Sequence, residues 1–330
     1  MKSLWPSFLR GKCWTVAALL LAGALAGSPA LAVETVILGS VGSASTNLWP
    51  VYIGINKGFF AAEDLKVDLV FAQSNAGVNQ QLAAGSLNFA INTGLVDPIR
   101  AIEKGAPVAI VRIEVQGPPY ILLGRSSIKS MKDLKGKTIS LGGAKDITRI
   151  FVERMLAPEG VKPGDFDMVF AGATSARFAA LQSGAVDAAI LAPPFSFRAE
   201  AAGFTNLGLT IDYVKDLPFA GTVVNRNWAA ANKRTAEKVL AVYNKSIAWF
   251  YDPQNRPEAV KMMIDVSKMQ ADDVEKSYDF LQRGKFLEPT GKVSRGKLSA
   301  LVGALQELGD IPAGFEIERL ILPGLTQLSD

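Results

Sequence analysis

The sequence predicts an α/β fold of two Rossmann-like lobes joined by two hinge crossovers. The chain repeats itself at an offset of about a hundred residues. Leu82-Ala83-Ala84-Gly85-Ser86-Leu87-Asn88-Phe89-Ala90-Ile91 aligns without gaps on Leu181-Gln182-Ser183-Gly184-Ala185-Val186-Asp187-Ala188-Ala189-Ile190, and Thr35-Val36-Ile37-Leu38-Gly39 is echoed by Thr138-Ile139-Ser140-Leu141-Gly142. Between these blocks short β-prone runs alternate with helical patterns, as βαβ units with largely parallel sheets require. Two such lobes imply a cleft, a common place for a small ligand.

Thr35–Leu38 is apolar and β-prone, and the loop 39–47 after it is rich in turn and helix-capping residues. Leu48, Val51, Tyr52 and Ile55 recur at helical spacing before a stop at Gly58. Val67–Phe71 reads as a strand, Ser74-Asn75 as the cap of a helix ending at Gly85, and Asn88–Ile91 as a third strand turning at Asn92-Thr93-Gly94 into a short helix. Val108–Arg112 and Tyr120–Leu123 are further strands. The second lobe repeats the scheme with strands 138–141, 168–170 and 188–191 and helices starting near Lys145-Asp146, Thr174-Ser175 and Phe195. The last third is amphipathic helix at 232–250, 257–266, 271–281 and 294–308, with one convincing strand at Gly221–Asn225. That strand should return the chain to the first lobe, and the outward crossing should lie near Leu122-Leu123-Gly124. The expected division is 33–123 with 224–330 for lobe one and 124–223 for lobe two.

Residues 1–32 read as a secretory leader. Lys2, Arg10 and Lys12 precede an apolar run from Trp14 to Leu25 that is shorter than the roughly 20 residues a transmembrane helix needs. Ser28-Pro29-Ala30-Leu31-Ala32 then supplies small residues, so cleavage after Ala32 and delivery to the periplasm by the general secretory route are expected. The only cysteine, Cys13, precedes the apolar run, so it is no lipid-anchored amino terminus and no disulfide is expected. The whole chain holds 35 basic and 31 acidic residues, and the leader takes three of the basic ones and none of the acidic. What remains is nearly neutral, which argues against nucleic acid as a partner. Histidine is absent. Without His or Cys beyond the leader, a zinc or copper site is not expected, and neither is a cofactor.

In parallel α/β sheets a ligand sits beyond the carboxyl ends of strands, against helix amino termini. Those ends offer Ser43, Ser45, Asn47, Ser74, Asn75, Asn92 and Thr93 in the first lobe. The second offers Gly143, Lys145, Asp146, Thr148, Thr174, Ser175, Pro194 and Phe195. Hydroxyls, amides and backbone N–H groups there suit an anionic or polar head group, though each can equally cap a helix. Trp49 and Phe195 could wall the ligand, or Trp49 could be plain core. Lys145 beside Asp146 reads either as an anion clamp or as a solvated pair. Asp97, Asp146, Asp187 and Glu200 are conceivable acids or bases, but no Gly-x-Ser-x-Gly elbow or phosphate-loop motif accompanies them.

Leu48-Trp49-Pro50-Val51-Tyr52-Ile53-Gly54-Ile55-Asn56-Lys57-Gly58-Phe59-Phe60, followed by Leu65-Lys66-Val67-Asp68-Leu69, resembles the start of periplasmic substrate-binding proteins of ABC importers. The branch concerned handles nitrate, taurine, alkanesulfonates and thiamine-pyrimidine precursors. Leu82-Ala83-Ala84-Gly85, the block Ile128-Lys129-Ser130-Met131-Lys132-Asp133-Leu134-Lys135-Gly136-Lys137 and Ala180-Leu181-Gln182-Ser183-Gly184 are similar to that branch as well. The resemblance covers about residues 35–230. It implies the type II bilobed binding-protein fold, capture of a small solute rather than catalysis, a membrane permease with a cytoplasmic ATPase as partner, and a monomer. A sensor feeding a signalling receptor would use the same fold. Fungal pyrimidine synthases of a related branch perform chemistry on it with His and Cys, which this chain lacks beyond its leader.

Overall fold

The computed structural model describes residues 33–43 and 45–330; the expected leader lies outside them. In chain order the first sheet takes β1 (Glu34–Val41), β2 (Leu65–Ala72), β3 (Phe89–Gly94) and β4 (Val108–Val115), joined by α1 (Trp49–Asn56), α2 (Asn75–Ala83) and α3 (Val96–Glu103). The second takes β5 (Ile121–Gly124), β6 (Thr138–Leu141), β7 (Asp167–Phe170), β8 (Ala188–Leu191) and β9 (Thr205–Leu209), with α4 (Ile147–Leu156), α5 (Thr174–Ser183) and α6 (Phe195–Ala201) between them. Then β10 (Ala220–Asn225) returns to the first sheet, followed by α7 (Arg226–Ala231), α8 (Lys233–Tyr251), α9 (Arg256–Ser267), α10 (Ala271–Gly284), the two-residue strands β11 (Val293–Ser294) and β12 (Leu328–Ser329), and α11 (Arg295–Glu307).

The two sheets have the same topology. Their orders are β2-β1-β3-β10-β4 and β7-β6-β8-β5-β9, each with four strands running one way and a single strand, β10 or β5, antiparallel to both its neighbours. Leu38 opposes Phe89 in one and Ile139 opposes Ala188 in the other. The strand echo read from sequence therefore shifts by two residues, a slip that keeps every side chain on its face. One repeated contact explains the Asn88/Asp187 correspondence. Asn88 Oδ1 accepts the Ile37 N–H at 2.7 Å, and Asp187 Oδ2 accepts the Thr138 N–H at 3.0 Å.

Two expectations shift, and one strand goes unread in the sequence. The crossings fall outside the expected segments Leu122–Gly124 and Gly221–Asn225: β5 and β10 lie wholly inside their sheets, and residues 116–120 and 210–219 join the lobes. Asn92-Thr93-Gly94 is strand rather than turn, because β10 pairs Thr93 with Gly221 and Gly94 with Ala220. β9 carries no alternating signal: Gly208 interrupts it at a left-handed φ of 147°, yet its pairing with β5 makes it an edge strand. Trp49 is 3% exposed and packs on Phe250 and Tyr278 at ring distances of 6.0 and 6.4 Å, so it joins the carboxyl-terminal helices to the first sheet. No helix among the described residues is long and apolar enough to cross a membrane.

Candidate functional site

A cavity of about 390 Å³ lies where the carboxyl ends of the parallel strands of both sheets meet. Ser45, Asn47, Ser74, Asn75, Asn92 and Asp97 line it from the first lobe; Gly143, Lys145, Asp146, Thr174, Ser175, Arg177 and Phe195 line it from the second. Tyr120 and Phe219 come from the two joining segments, 5.0 Å apart and edge to face. The switch from strand to helix builds each wall. Ser74 accepts the Gly77 N–H at 3.2 Å to start α2, and Asp146 accepts the Thr148 N–H at 2.9 Å to start α4. The turn before α4 needs glycine: a Cβ on Gly142 would lie 2.7 Å from Asp146 Oδ1.

Eleven of the residues expected at the site from sequence line the cavity: Ser45, Asn47, Ser74, Asn75, Asn92, Gly143, Lys145, Asp146, Thr174, Ser175 and Phe195. Five do not, each for a local reason. The Ser43 carbonyl accepts from the Tyr52 hydroxyl at 2.7 Å, and Ser43 itself faces solvent. Trp49 is core. The Thr93 hydroxyl is buried between Asn79 and Asn75. Thr148 is used up locally: its Oγ1 donates to Asp146 at 2.7 Å and accepts the Gly142 N–H at 2.9 Å. Pro193 lines the wall in place of Pro194. The Lys145 ammonium stands 3.7 Å from Asp310 with its side chain 72% exposed, an outward-facing pair.

Sequence reading missed Arg177, Tyr120 and Phe219. Arg177 is 3% exposed, donates from Nη1 to the Ile190 carbonyl at 2.8 Å and from Nη2 to Thr174 Oγ1 at 2.7 Å, and lies 5.3 Å over the Tyr120 ring. It makes no ion pair among the described residues, and its Nε has no hydrogen-bond partner. A lone arginine one turn after Thr174, in the small-residue helix Thr174-Ser175-Ala176-Arg177-Phe178-Ala179-Ala180, was the available signal. Burial pushes the Tyr120 phenol up, against the pull of that guanidinium. Asp97 is pushed up to about 6, first by burial and then by the charge of Asp146, while Arg100 at 3.5 Å pulls the other way. No cluster of three or more metal-ligating side chains occurs among the described residues.

Several contacts tie the lobes together. Asn75 Nδ2 donates to Asp146 Oδ2 at 3.1 Å, Thr46 Oγ1 donates to the Pro193 carbonyl at 3.4 Å, and Arg198 Nε meets Asp273 Oδ2 at 2.6 Å. Arg100 donates to the Lys145 carbonyl and pairs with Asp310.

Comparison with known proteins fits this architecture. Among solved structures, the alkanesulfonate-binding protein SsuA from Xanthomonas axonopodis pv. citri, bound to MOPS, superposes with a TM-score of 0.73 at 17% identity over 91% of this chain and 100% of that one. The periplasmic nitrate-binding protein NrtA from Synechocystis PCC 6803 does so with a TM-score of 0.67 at 18% identity over 86% and 83%. These likenesses show the fold, that of two-lobed periplasmic binding proteins. By sequence the chain is 23% identical over 125 residues to the 4-amino-5-hydroxymethyl-2-methylpyrimidine phosphate synthase of Legionella pneumophila, a stretch spanning 37% of this chain and only 39% of that protein. The family model described as NMT1/THI5 like matches residues 45–256, from the first cavity-lining loop to the start of α9, and the chain belongs to that family.

Proposed function

We propose that this protein is the solute-binding component of an ABC-type import system, capturing a small acidic solute between its lobes and delivering it to a membrane permease. Export to the periplasm with cleavage after Ala32, and action as a monomer, belong to the same reading. The observation that carries the anionic ligand is Arg177, a buried guanidinium on the cavity wall with no carboxylate partner among the described residues. Burying a cation without a counter-charge costs several kcal/mol, and an arriving acid would supply that charge. SsuA and NrtA, which share the fold, are named for binding alkanesulfonate and nitrate, both anions.

The match to a pyrimidine phosphate synthase supports a second reading, catalysis on the same fold. Against it, the chain has no histidine, and its one cysteine is Cys13. Titration calorimetry over sulfonates, carboxylates and nitrate tests the binding reading, with Arg177→Gln beside the native chain. Losing the charged hydrogen bonds should weaken acid binding by about 2–5 kcal/mol. Unchanged affinity in a folded Arg177→Gln protein would remove the anion argument.

A further inference from the structure

Asn92 reaches the cavity from a break in its strand. β10 sets Gly221 opposite Thr93 and Val223 opposite Ala90, so Ile91 and Asn92 together face the single residue Thr222, a β-bulge. Asn92 takes a left-handed φ of 49° there, a conformation that Asn tolerates. On the other side of β10 a second bulge sets Glu114 of β4 out of register, between Ile113, paired with Gly221, and Val115, paired with Ala220. One carboxylate bridges the two bulges. The Asn92 N–H donates to Glu114 Oε2 at 2.6 Å, and the Thr222 hydroxyl donates to Oε1 of the same group. Glu114 is 2% exposed, so these contacts are shielded from water. Arg112, two residues earlier on β4, directs its guanidinium to Asn244 and to the Glu288 carbonyl. Burial pushes the Glu114 carboxyl up, while Thr222, Arg112 and the Asn92 N–H pull it back down.

Bulges beside a site re-aim side chains, and here the side chain is that of Asn92. Its Nδ2 donates to Ser45 Oγ at 3.3 Å, and its Oδ1 is buried with no hydrogen-bond partner among the described residues. Both Asn92 and Ser45 line the cavity. β4 leads into the joining segment 116–120 and β10 follows 210–219, so the bridged bulges also lie where both joining segments enter the first sheet. Resting on the binding reading above, we propose that Glu114 is a positioning residue for the cavity. Reaching across β10, it clamps the β3 bulge and holds the Asn92 carboxamide, with Ser45, toward the bound solute.

Nuclear magnetic resonance of the ligand-free protein tests the clamp. In Glu114→Gln the side-chain oxygen still accepts from Asn92 while its Nε2 donates to a turned Thr222 hydroxyl. The Asn92 amide proton should then move upfield, as a neutral acceptor replaces a charged one, and the Asn92 side-chain resonances should stay in place. In Glu114→Leu both should move. An Asn92 amide proton unmoved in Glu114→Gln overturns the contact, and that variant decides the matter if Glu114→Leu fails to fold. Calorimetry with ethanesulfonate, butanoate and nitrate reads the consequence for binding. The acid that the native chain binds most tightly should bind within about threefold in Glu114→Gln and about tenfold more weakly in Glu114→Leu. Asn92→Gly keeps the left-handed backbone and its N–H but removes the carboxamide, and it should lose about as much. The double variant Glu114→Leu/Asn92→Gly should lose no more than either alone, because the one residue acts through the other. Additive losses, or native affinity in a folded Glu114→Leu protein, make Glu114 structural only and overturn the proposal. If none of the three acids binds the native chain, the acid-capture reading falls by itself. Asn92 side-chain resonances that move in Glu114→Leu then still uphold the clamp, and resonances that stay overturn it.

Discussion

Arg177 and Lys145 show why the identity of a cation matters less than its surroundings. Lys145 sits in the turn that points at the cleft, but its ammonium is solvated and paired with Asp310, so Lys145→Ala should change stability by less than about 1 kcal/mol. Affinity for an acidic ligand should stay within about threefold in that mutant, against the large loss in Arg177→Gln; calorimetry of the two side by side checks this. Asp97 makes a prediction in pH. Its folded value near 6 lies above the ordinary 3.8, so the folded chain holds this proton more tightly than the unfolded chain does. Below about pH 4 both states are protonated and the residue costs nothing. As pH rises toward 6 the unfolded chain ionises first, and stability falls by up to about 3 kcal/mol for a shift of this size. Asp97→Asn should flatten that fall, and melting temperatures of the ligand-free protein between about pH 4 and pH 7 measure it. A mutant profile that tracks the native one would move the acid sensitivity to another group.

At the scale of the element, the repeated strand contact carries the stability prediction. Asp187 accepts the Thr138 N–H and Asn88 the Ile37 N–H, in each case tying the turn that leads into a strand, β8 or β3, to the neighbouring parallel strand, β6 or β1. Asp187→Ala leaves that amide without its side-chain partner and should cost about 1–3 kcal/mol, read by urea denaturation. A cost near zero would mean that water replaces the carboxylate without strain. The helices were legible from their periodicity: expected spans at 232–250, 257–266, 271–281 and 294–308 match α8, α9, α10 and α11 to within a few residues. β9 was not, because a short edge strand broken by Gly208 has no alternation to read. Asn92 to Gly94 looked like a turn because Asn and Gly tolerate left-handed backbone, and Asn92 does take a φ of 49°. Pairing with a strand more than a hundred residues away makes the segment β all the same.

For the whole molecule, the prediction is closure. The contacts Asn75–Asp146, Thr46–Pro193 and Arg198–Asp273 span the lobes, and 116–120 and 210–219 are the joining segments on which a hinge would turn. Saturating ligand should lower the radius of gyration in small-angle scattering, and at about a hundred times its dissociation constant should add about 2.7 kcal/mol of stability. Arg198→Ala lifts one tie between α6 and α10 without touching the cavity wall. It should enlarge the ligand-free protein and weaken binding by about two- to tenfold, the fraction of closed protein setting the apparent affinity. An unchanged radius in both experiments would count against a hinge.

What the sequence determined by itself was local or periodic. The repeat, the alternation of strand and helix, the helical last third and the strand-end loops rich in Ser, Asn and Gly are written in neighbouring residues, and they sufficed for the bilobed fold and for eleven residues of the cavity wall. The tertiary structure decided what depends on distant partners. Trp49 became core because α8 and α10 bring Phe250 and Tyr278 to it. Lys145 turned outward because Asp310 waits there. Arg177, Tyr120 and Phe219 became one wall because the two joining segments cross beside α5. Whether a charge is buried, paired or left over depends on what the rest of the chain packs against it, and that is set by contacts outside its own stretch of sequence.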